Sequence, residues 1–286
     1  MNTATAAAIT QEQLLSAVRR LPSLPAVATE LILSFEKGSV DTDALARKIA
    51  LDPSLSAATL RLANSSFYGL AGKVSTLADA IMVLGLRQLR SLVVTAAVVG
   101  RLPVPAGSGF DVDAFWRHSI CTALAARQIA EHLKIPPEPA YISGLLHDIG
   151  RLALATCFPE LFREVAAYRV QHDCYLYQAE RDVLGLDHGV AGRIMTGHWH
   201  FPAAIAEAVA CHHAPESEHA TSLAGVIHVA DVLAHALDMG HGDDDLVPKL
   251  SATAWYRLSL DWSELRGQLS RIEELQREVS ALLGPA

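Results

Sequence analysis

The chain has 286 residues, of which 51% are hydrophobic and 19% are charged, a composition typical of a globular protein with a large core. Its formal net charge of −8 excludes an overall basic field that would attract nucleic acid or anionic lipid. The first ten residues lack the features of a signal peptide, and the longest apolar run, 92–100, is too short to span a bilayer.

Apolar residues recur at helical spacing along almost the whole chain, which predicts an all-α fold. In the first part we predict helices over 11–21, 26–37, 42–50, 53–64, 76–84 and 86–102, with Gly85 as a break. The segment 42–64 resembles a helix-turn-helix. Its second helix offers only Arg61 and Asn64 for reading DNA, so we favour a packing role over a transcription factor.

Residues 102–109, Leu-Pro-Val-Pro-Ala-Gly-Ser-Gly, form the strongest predicted linker. The predicted organisation is a tail (1–13), an N-terminal helical lobe (14–102), the linker (103–110), a histidine-rich lobe (111–240), and an acidic loop with a C-terminal helix (241–286). Beyond the linker we predict helices over 112–133, 137–156, 161–172, 177–184, 189–200, 202–213, 221–239 and 262–283. We expect the two lobes to pack together.

The pair His147-Asp148 lies inside the apolar stretch 141–154. Because burying an unpaired carboxylate is costly, the pair needs a partner, and a metal cation is a common one. Other ligand-type residues occur on apolar segments: His118, His188, His212, His213 and Asp231. Imidazole and carboxylate ligands suit one or two divalent ions of the iron, manganese, zinc or magnesium class.

A buried, hydrogen-bonded polar cluster is the simpler interpretation of each of these residues taken alone. His188 follows Asp187 and fits the start of a helix equally well. Adjacent helical residues point about 100° apart, which leaves open whether His212 and His213 both face the site. We expect surface or supporting roles for His228 and His235, which lie one turn either side of Asp231.

The order His118, His147-Asp148, Asp231 resembles the H…HD…D pattern of the HD superfamily of metal-dependent phosphohydrolases, and His188 and His212-His213 resemble the added histidines of its HD-GYP branch. Several phrases are similar to the HDOD domain, the HD-related output domain of bacterial signalling proteins, over about residues 14–240. These phrases are Leu21-Pro-Ser-Leu-Pro25, Asp52-Pro-Ser-Leu55, Leu60-Arg-Leu-Ala-Asn-Ser-Ser-Phe-Tyr-Gly69, Ala80-Ile-Met-Val-Leu-Gly85, Leu145-Leu-His-Asp-Ile-Gly150, Gly185-Leu-Asp-His188 and His212-His-Ala-Pro215.

The resemblance implies an all-helical bacterial regulator and, by itself, no catalytic activity. The chain also departs from the hydrolase pattern at several positions. Ala114 replaces a glutamate, Arg151 replaces the lysine of the HD-x-G-K phrase, and the residues after His213 lack the GYP triplet. These departures weigh against cleavage of cyclic di-GMP, the HD-GYP substrate.

We therefore expect a cytoplasmic bacterial signal-transduction protein of the HDOD type, acting through contacts with signalling proteins, with a divalent metal or a small phosphorylated ligand in its HD-like site. The absence of a CxxC motif among the four cysteines fits a reducing compartment. We expect no nucleic-acid or membrane partner. The alternative is a metal-dependent phosphohydrolase acting on a nucleotide or phosphodiester, in which Arg151 would contact the phosphate.

Overall fold

The computed structural model of this protein describes residues 8–33, 42–64, 74–239, 246–263, 265–268, 270 and 272, without the side chains of 42–45. Every regular element in these ranges is an α-helix, which confirms the predicted all-α fold. The helices are α1 (Gln11–Val18), α2 (Ala26–Leu33), α3 (Thr42–Ala50), α4 (Pro53–Ala63), α5 (Leu77–Val98), α6 (Val112–His132), α7 (Pro137–Leu146), α8 (Ile149–Cys157), α9 (Pro159–His172), α10 (Leu176–Leu184), α11 (His188–His198), α12 (Ala203–Cys211), α13 (Ser222–Ala236) and α14 (Ala252–Arg257).

Local sequence signals begin and bend the helices of the N-terminal lobe. The Asp52 carboxylate accepts a hydrogen bond from the backbone of Leu55, and Pro53 occupies the first position of α4. Thr76 caps α5 as part of a capping box. Gly85 interrupts α5 with a φ of 78° and a ψ of 160°, which confirms the predicted break.

The segment that resembles a helix-turn-helix is used for packing. Leu55, Thr59 and Ala63 of α4 are buried, which leaves Arg61 exposed on the opposite face. Asn64 bonds to both the N–H and the carbonyl of Val74, at 3.0 and 2.6 Å. Its amide therefore stabilises the end of α4, and its hydrogen-bonding groups already have partners within the protein.

Helix α5 is the one described helix long and apolar enough to cross a membrane, and half of its apolar 18-residue stretch is buried within the protein. It packs against α2, α4 and α7. Arg90 on this helix is only 8% exposed, so it does not lie on a solvated face.

The two lobes pack against each other through polar as well as apolar contacts. The hydroxyl groups of Thr95 on α5 and Tyr141 on α7 lie 3.1 Å apart. The indole N–H of Trp199 donates to the carbonyl of Pro22 at 3.1 Å. These contacts agree with the predicted packing of an N-terminal lobe on an HD-like lobe.

The second lobe differs from the prediction in two places. The predicted helix over 137–156 is two helices, because the backbone of Asp148 adopts a φ of −100° and a ψ of 8° and ends the α-helical run. Helix α14 was not predicted. The predicted acidic loop at 241–245 and most of the predicted helix over 262–283 lie outside the described residues.

Candidate metal centre

The helices of the second lobe bring all the predicted ligand residues into one buried region. His118 and Asp231 lie within α6 and α13, whereas the others lie at helix ends, where the backbone changes direction. They form two groups of potential ligands, His118, His147 and Asp231 in the first and Asp148, His188, His212 and His213 in the second. Ligand atoms within each group lie within 4.8 Å of one another.

The first group is compact. Nε2 of His118 lies 3.0 Å from Oδ1 of Asp231 and 3.2 Å from Nε2 of His147. Nε2 of His147 lies 3.4 Å from the same Asp231 oxygen. Three ligand atoms from three helical segments therefore face one small volume.

The second group converges in the same way. Nε2 of His188 lies 3.1 Å from Oδ1 of Asp148 and 2.8 Å from Nε2 of His213. Nε2 of His212 lies 3.6 Å from Oδ1 of Asp148. Helix α12 ends at Cys211, and the ring centroids of the next two residues, His212 and His213, lie 3.9 Å apart.

Asp148 lies between the two groups. Its Oδ1 faces His188 and His212, and its Oδ2 lies 3.6 Å from Nε2 of His147. Arg151 donates to that Oδ2 at 2.8 Å. One carboxylate can thus provide ligand oxygens to both groups. The guanidinium group of Arg151 points to this carboxylate.

The tautomers of two rings suit metal binding. Nδ1 of His147 lies 2.7 Å from the carbonyl of Gly144, and Nδ1 of His212 lies 2.7 Å from the carbonyl of Val209. Because a carbonyl only accepts hydrogen bonds, each Nδ1 carries a proton, so Nε2 is the atom that each ring directs into the site and can offer to a metal. Nε2 of His212 is buried without a hydrogen-bond partner, a costly arrangement that a cation would relieve.

The spacing of the ligand atoms also fits a cation. Two nitrogens bound to one transition-metal ion at about 2.1 Å, with tetrahedral or octahedral angles, stand roughly 3.0–3.4 Å apart. The Nε2 atoms of His118 and His147 are 3.2 Å apart, within this range, and those of His188 and His213, at 2.8 Å, are slightly closer. The residues present therefore fit a bound divalent cation.

Both carboxylates of the site are ionised. Burial alone would raise the pKa of Asp148, but His147 and Arg151 outweigh burial and hold this pKa well below its ordinary value. Burial likewise opposes ionisation of Asp231, and the neighbouring histidines, first of them His235, hold its pKa well below its ordinary value. The site therefore carries negative charge for a cation.

Two imidazoles of the site favour the neutral form that ligands require. Burial, with smaller contributions from His212 and His188, depresses the pKa of His213 well below its ordinary value. Burial also lowers the pKa of His118. Burial opposes protonation of His188, but nearby carboxylates raise its pKa well above its ordinary value, so without a metal this ring supplies the positive charge.

Sequence reasoning missed one member of the site. Glu180 on α10 is fully buried, and its Oε2 accepts from the backbone N–H and Nδ1 of His188 at 2.7 and 2.6 Å. The sequence feature that could have indicated Glu180 is its place on the apolar face of α10, between Leu176 and Leu184. Nε2 of His235 lies 3.4 Å from Asp231, which favours the supporting role over the surface role of the two that we expected for this residue.

The centre opens onto a cavity of only about 20 Å³. Tyr175, Tyr177 and Arg151 line one part of it. Leu246 and Pro248 line another part, and they belong to residues 246–251, which we call the cover segment. A cavity of this size holds about one water molecule, whereas sites for small-molecule ligands usually measure about 300–1,000 Å³.

Residues 21–215 match the sequence profile of the HDOD domain family, more than half of the chain. The chain belongs to the HDOD domain family. It is similar to a crystal structure of a candidate phosphohydrolase from Shewanella amazonensis SB2B, with 30% identity, 95% of this chain and 98% of that chain covered, and a TM-score of 0.77. An HDOD domain protein with unknown function from Geobacter sulfurreducens is 25% identical, with 96% and 99% covered and a TM-score of 0.79.

A curated relative from Treponema pallidum (strain Nichols), an uncharacterized protein, is 22% identical over 195 residues. The match covers 68% of this chain and 37% of the relative, so the HDOD chain spans little more than a third of that relative's length. The activity of the whole relative therefore cannot be assigned to the HDOD chain.

Proposed function

We propose that this HDOD protein is a cytoplasmic bacterial regulator that binds divalent cations in its HD-like centre and acts through contacts with signalling proteins. The observation that carries the proposal is the buried convergence of histidine Nε2 atoms and two carboxylates, with the Nδ1 atoms of His147 and His212 bonded to backbone carbonyls so that each Nε2 faces the site. The metal would join five helical segments and set the surface that a partner contacts.

The two groups define how the cations would be held. His118, His147 and Asp231 would hold one ion, and Asp148, with His188, His212 and His213, would hold a second ion or share the first. Such a cation supplies Lewis acidity that can activate water. The chain's own contribution is to fix the tautomers, supply negative charge and exclude solvent.

The small volume of the cavity favours regulation over hydrolysis. A volume of about 20 Å³ does not admit a nucleotide or phosphodiester next to the carboxylates. Arg151, the residue suited to a phosphate, is paired with Asp148 instead. A small phosphorylated ligand would require displacement of the cover segment.

The proposal is tested by elemental analysis of the full chain purified without chelators, in single-site variants. We expect divalent metal in the natural protein, one ion for each group. His118→Ala and His212→Ala should each remove one ion, and Asp148→Ala, which alters the shared carboxylate, should remove both. His219→Ala, an exposed histidine outside the site, is the matched control and should retain both.

Folded natural protein that takes up no divalent metal after incubation with Mn²⁺, Fe²⁺ or Zn²⁺ would overturn the proposal. The phosphohydrolase alternative rests on the Shewanella structure and on Arg151. Metal-loaded protein that cleaves bis(p-nitrophenyl) phosphate, with the activity lost in Asp148→Ala, would replace the regulatory proposal by that alternative. Metal-loaded protein without turnover supports the regulatory role.

A further inference from the structure

A groove outside the metal centre runs between α1 and the C-terminal half of α11. Its volume is about 640 Å³, within the usual range for small-molecule sites. Leu15 of α1 and Val190 and Ile194 of α11 supply its apolar wall. We call this feature the α1–α11 groove.

One wall of the groove is a stripe of α11 in which Arg193 and Gly197 are exposed and Val190 and Ile194 are partly buried. Val190, Arg193, Ile194 and Gly197 follow helical spacing, so they form one stripe along the helix. A Cβ added at Gly197 would meet no atom within 4 Å. Leu15, opposite this stripe, is 37% exposed. Apolar surface is therefore available to a ligand.

The polar side chains that line the groove are those of a glutamine, two arginines and two histidines, and none of the lining residues is acidic. Arg19 and Arg193 both line it, are exposed, and form no ion pair with any residue that the structure describes. Nε2 of His198, another lining residue, is buried and has no hydrogen-bond partner. Glu12, on the same helix as Arg19, lines a separate cavity. The groove thus offers unpaired donors in a chain of net charge −8.

We propose that the α1–α11 groove binds a small amphipathic anion, with a carboxylate or phosphate head on Arg19 and Arg193 and an apolar body against Leu15 and Ile194. The planar guanidinium forks suit either head group. A fully polar anion would leave the apolar stripe in contact with water, whereas an apolar body gains affinity by burying that surface. The volume suits a small molecule and not a folded partner.

The same helices connect the groove to the metal centre. Helix α11 begins at His188 and presents the groove stripe further along. Ala210 of α12 lines the groove, two residues before His212. An occupant would therefore contact both helices that carry the second metal group, which makes the groove a site for an input signal. Binding itself does not depend on the proposed metal function.

Isothermal titration of the full chain with decanoate tests the proposal, with decyl phosphate as the second anionic head and decanol as the neutral analogue. We expect saturable binding of one or both anions, weakened about tenfold or more in Arg19→Glu and Arg193→Glu. Arg47→Glu, an exposed arginine on α3, is the charge-matched control and should bind normally. Gly197→Leu should abolish binding by filling the groove while leaving the charges in place.

Failure of both anions to bind the natural protein would overturn the proposal. So would equal affinity in the Arg19, Arg193 and Arg47 variants, or decanol binding as tightly as the anions. Circular dichroism and metal content, measured on the same samples, should be unchanged in the groove variants. A loss of metal without loss of anion binding would affect the proposed function and leave the groove proposal intact.

Discussion

Polar side chains around the candidate metal centre are held in place by buried hydrogen bonds. Glu180 is the clearest case, because it is fully buried and its Oε2 accepts two hydrogen bonds from His188. The contact orients the His188 ring and places Nε2 toward Asp148. Glu180 therefore acts through His188 and is a positioning residue.

We expect Glu180→Gln to weaken divalent-metal binding by about 10–100-fold. The amide oxygen can still accept from His188, but the negative charge that strengthens this ligand is lost. The measurement is a competition titration of Mn²⁺ or Zn²⁺ against a chelator of known affinity. Glu164→Gln, an exposed residue on α9, is the control. Equal affinities in the two variants would show that Glu180 has no part in positioning the ligand.

At the scale of helices, close backbone contact fixes the relative position of α8 and α11. A Cβ added to Gly150 would lie 1.9 Å from the carbonyl oxygen of His188 and 2.6 Å from the backbone nitrogen of Gly192. Both obstacles are backbone atoms, so no side-chain rotation removes the clash. The glycine that follows His147-Asp148 by two positions therefore sets the distance between the two helices that carry Asp148 and His188.

Gly150→Ala should lower the free energy of unfolding by at least about 1–3 kcal/mol, the usual cost of overpacking, and should reduce metal content, because α11 must move away. The matched control is Gly197→Ala on α11, where an added Cβ would meet no atom within 4 Å. It should be neutral or stabilising by up to about 1 kcal/mol. Urea unfolding and elemental analysis measure both effects. Similar stability and metal content in both variants would contradict a spacing role for Gly150.

Much of the helical layout followed from the sequence because its signals are local. The caps at Asp52 and Thr76, the break at Gly85 and the apolar spacing of α13 depend on neighbouring residues only. The end of a helix at His147-Asp148 was missed because the apolar pattern continues through it, and the cause is a tertiary one. Asp148 faces His188 and His212, which come from two other helical segments, a relation that no local window contains.

The candidate site was predictable as a set of residues but not as a geometry. The ordered histidines and aspartates were recognisable because charged and imidazole groups are rare on apolar helices. Glu180 and the cover segment were missed, since their roles arise from chain segments that approach the site only in three dimensions. The prediction that His118, His147, Asp148, His188, His212, His213 and Asp231 bind metal remains a prediction.

At the scale of the whole molecule, hydrogen bonds connect the cover segment, which lines the cavity, to the end of α12. The backbone N–H of Ser251 donates to Nε2 of His228 at 2.9 Å, and Nδ1 of His228 lies 2.8 Å from the carbonyl of His212. The hydroxyl of Tyr175 donates to the carbonyl of Val247 at 3.4 Å. The segment that closes the cavity is therefore attached to the backbone of a candidate ligand.

This attachment predicts that the cover segment controls the rate at which metal leaves the centre. We expect the double change Leu246→Ala and Pro248→Ala to speed the loss of Mn²⁺ to excess EDTA by roughly fivefold, the effect of about 1 kcal/mol on the barrier, with unchanged initial metal content. Val247→Ala is the control, because its side chain is 44% exposed and its carbonyl contact with Tyr175 is retained. Equal release rates in the natural protein, the double variant and the control would mean that metal leaves by another route. Faster release in the double variant alone would identify displacement of the cover segment as the step through which a partner or ligand can reach the centre.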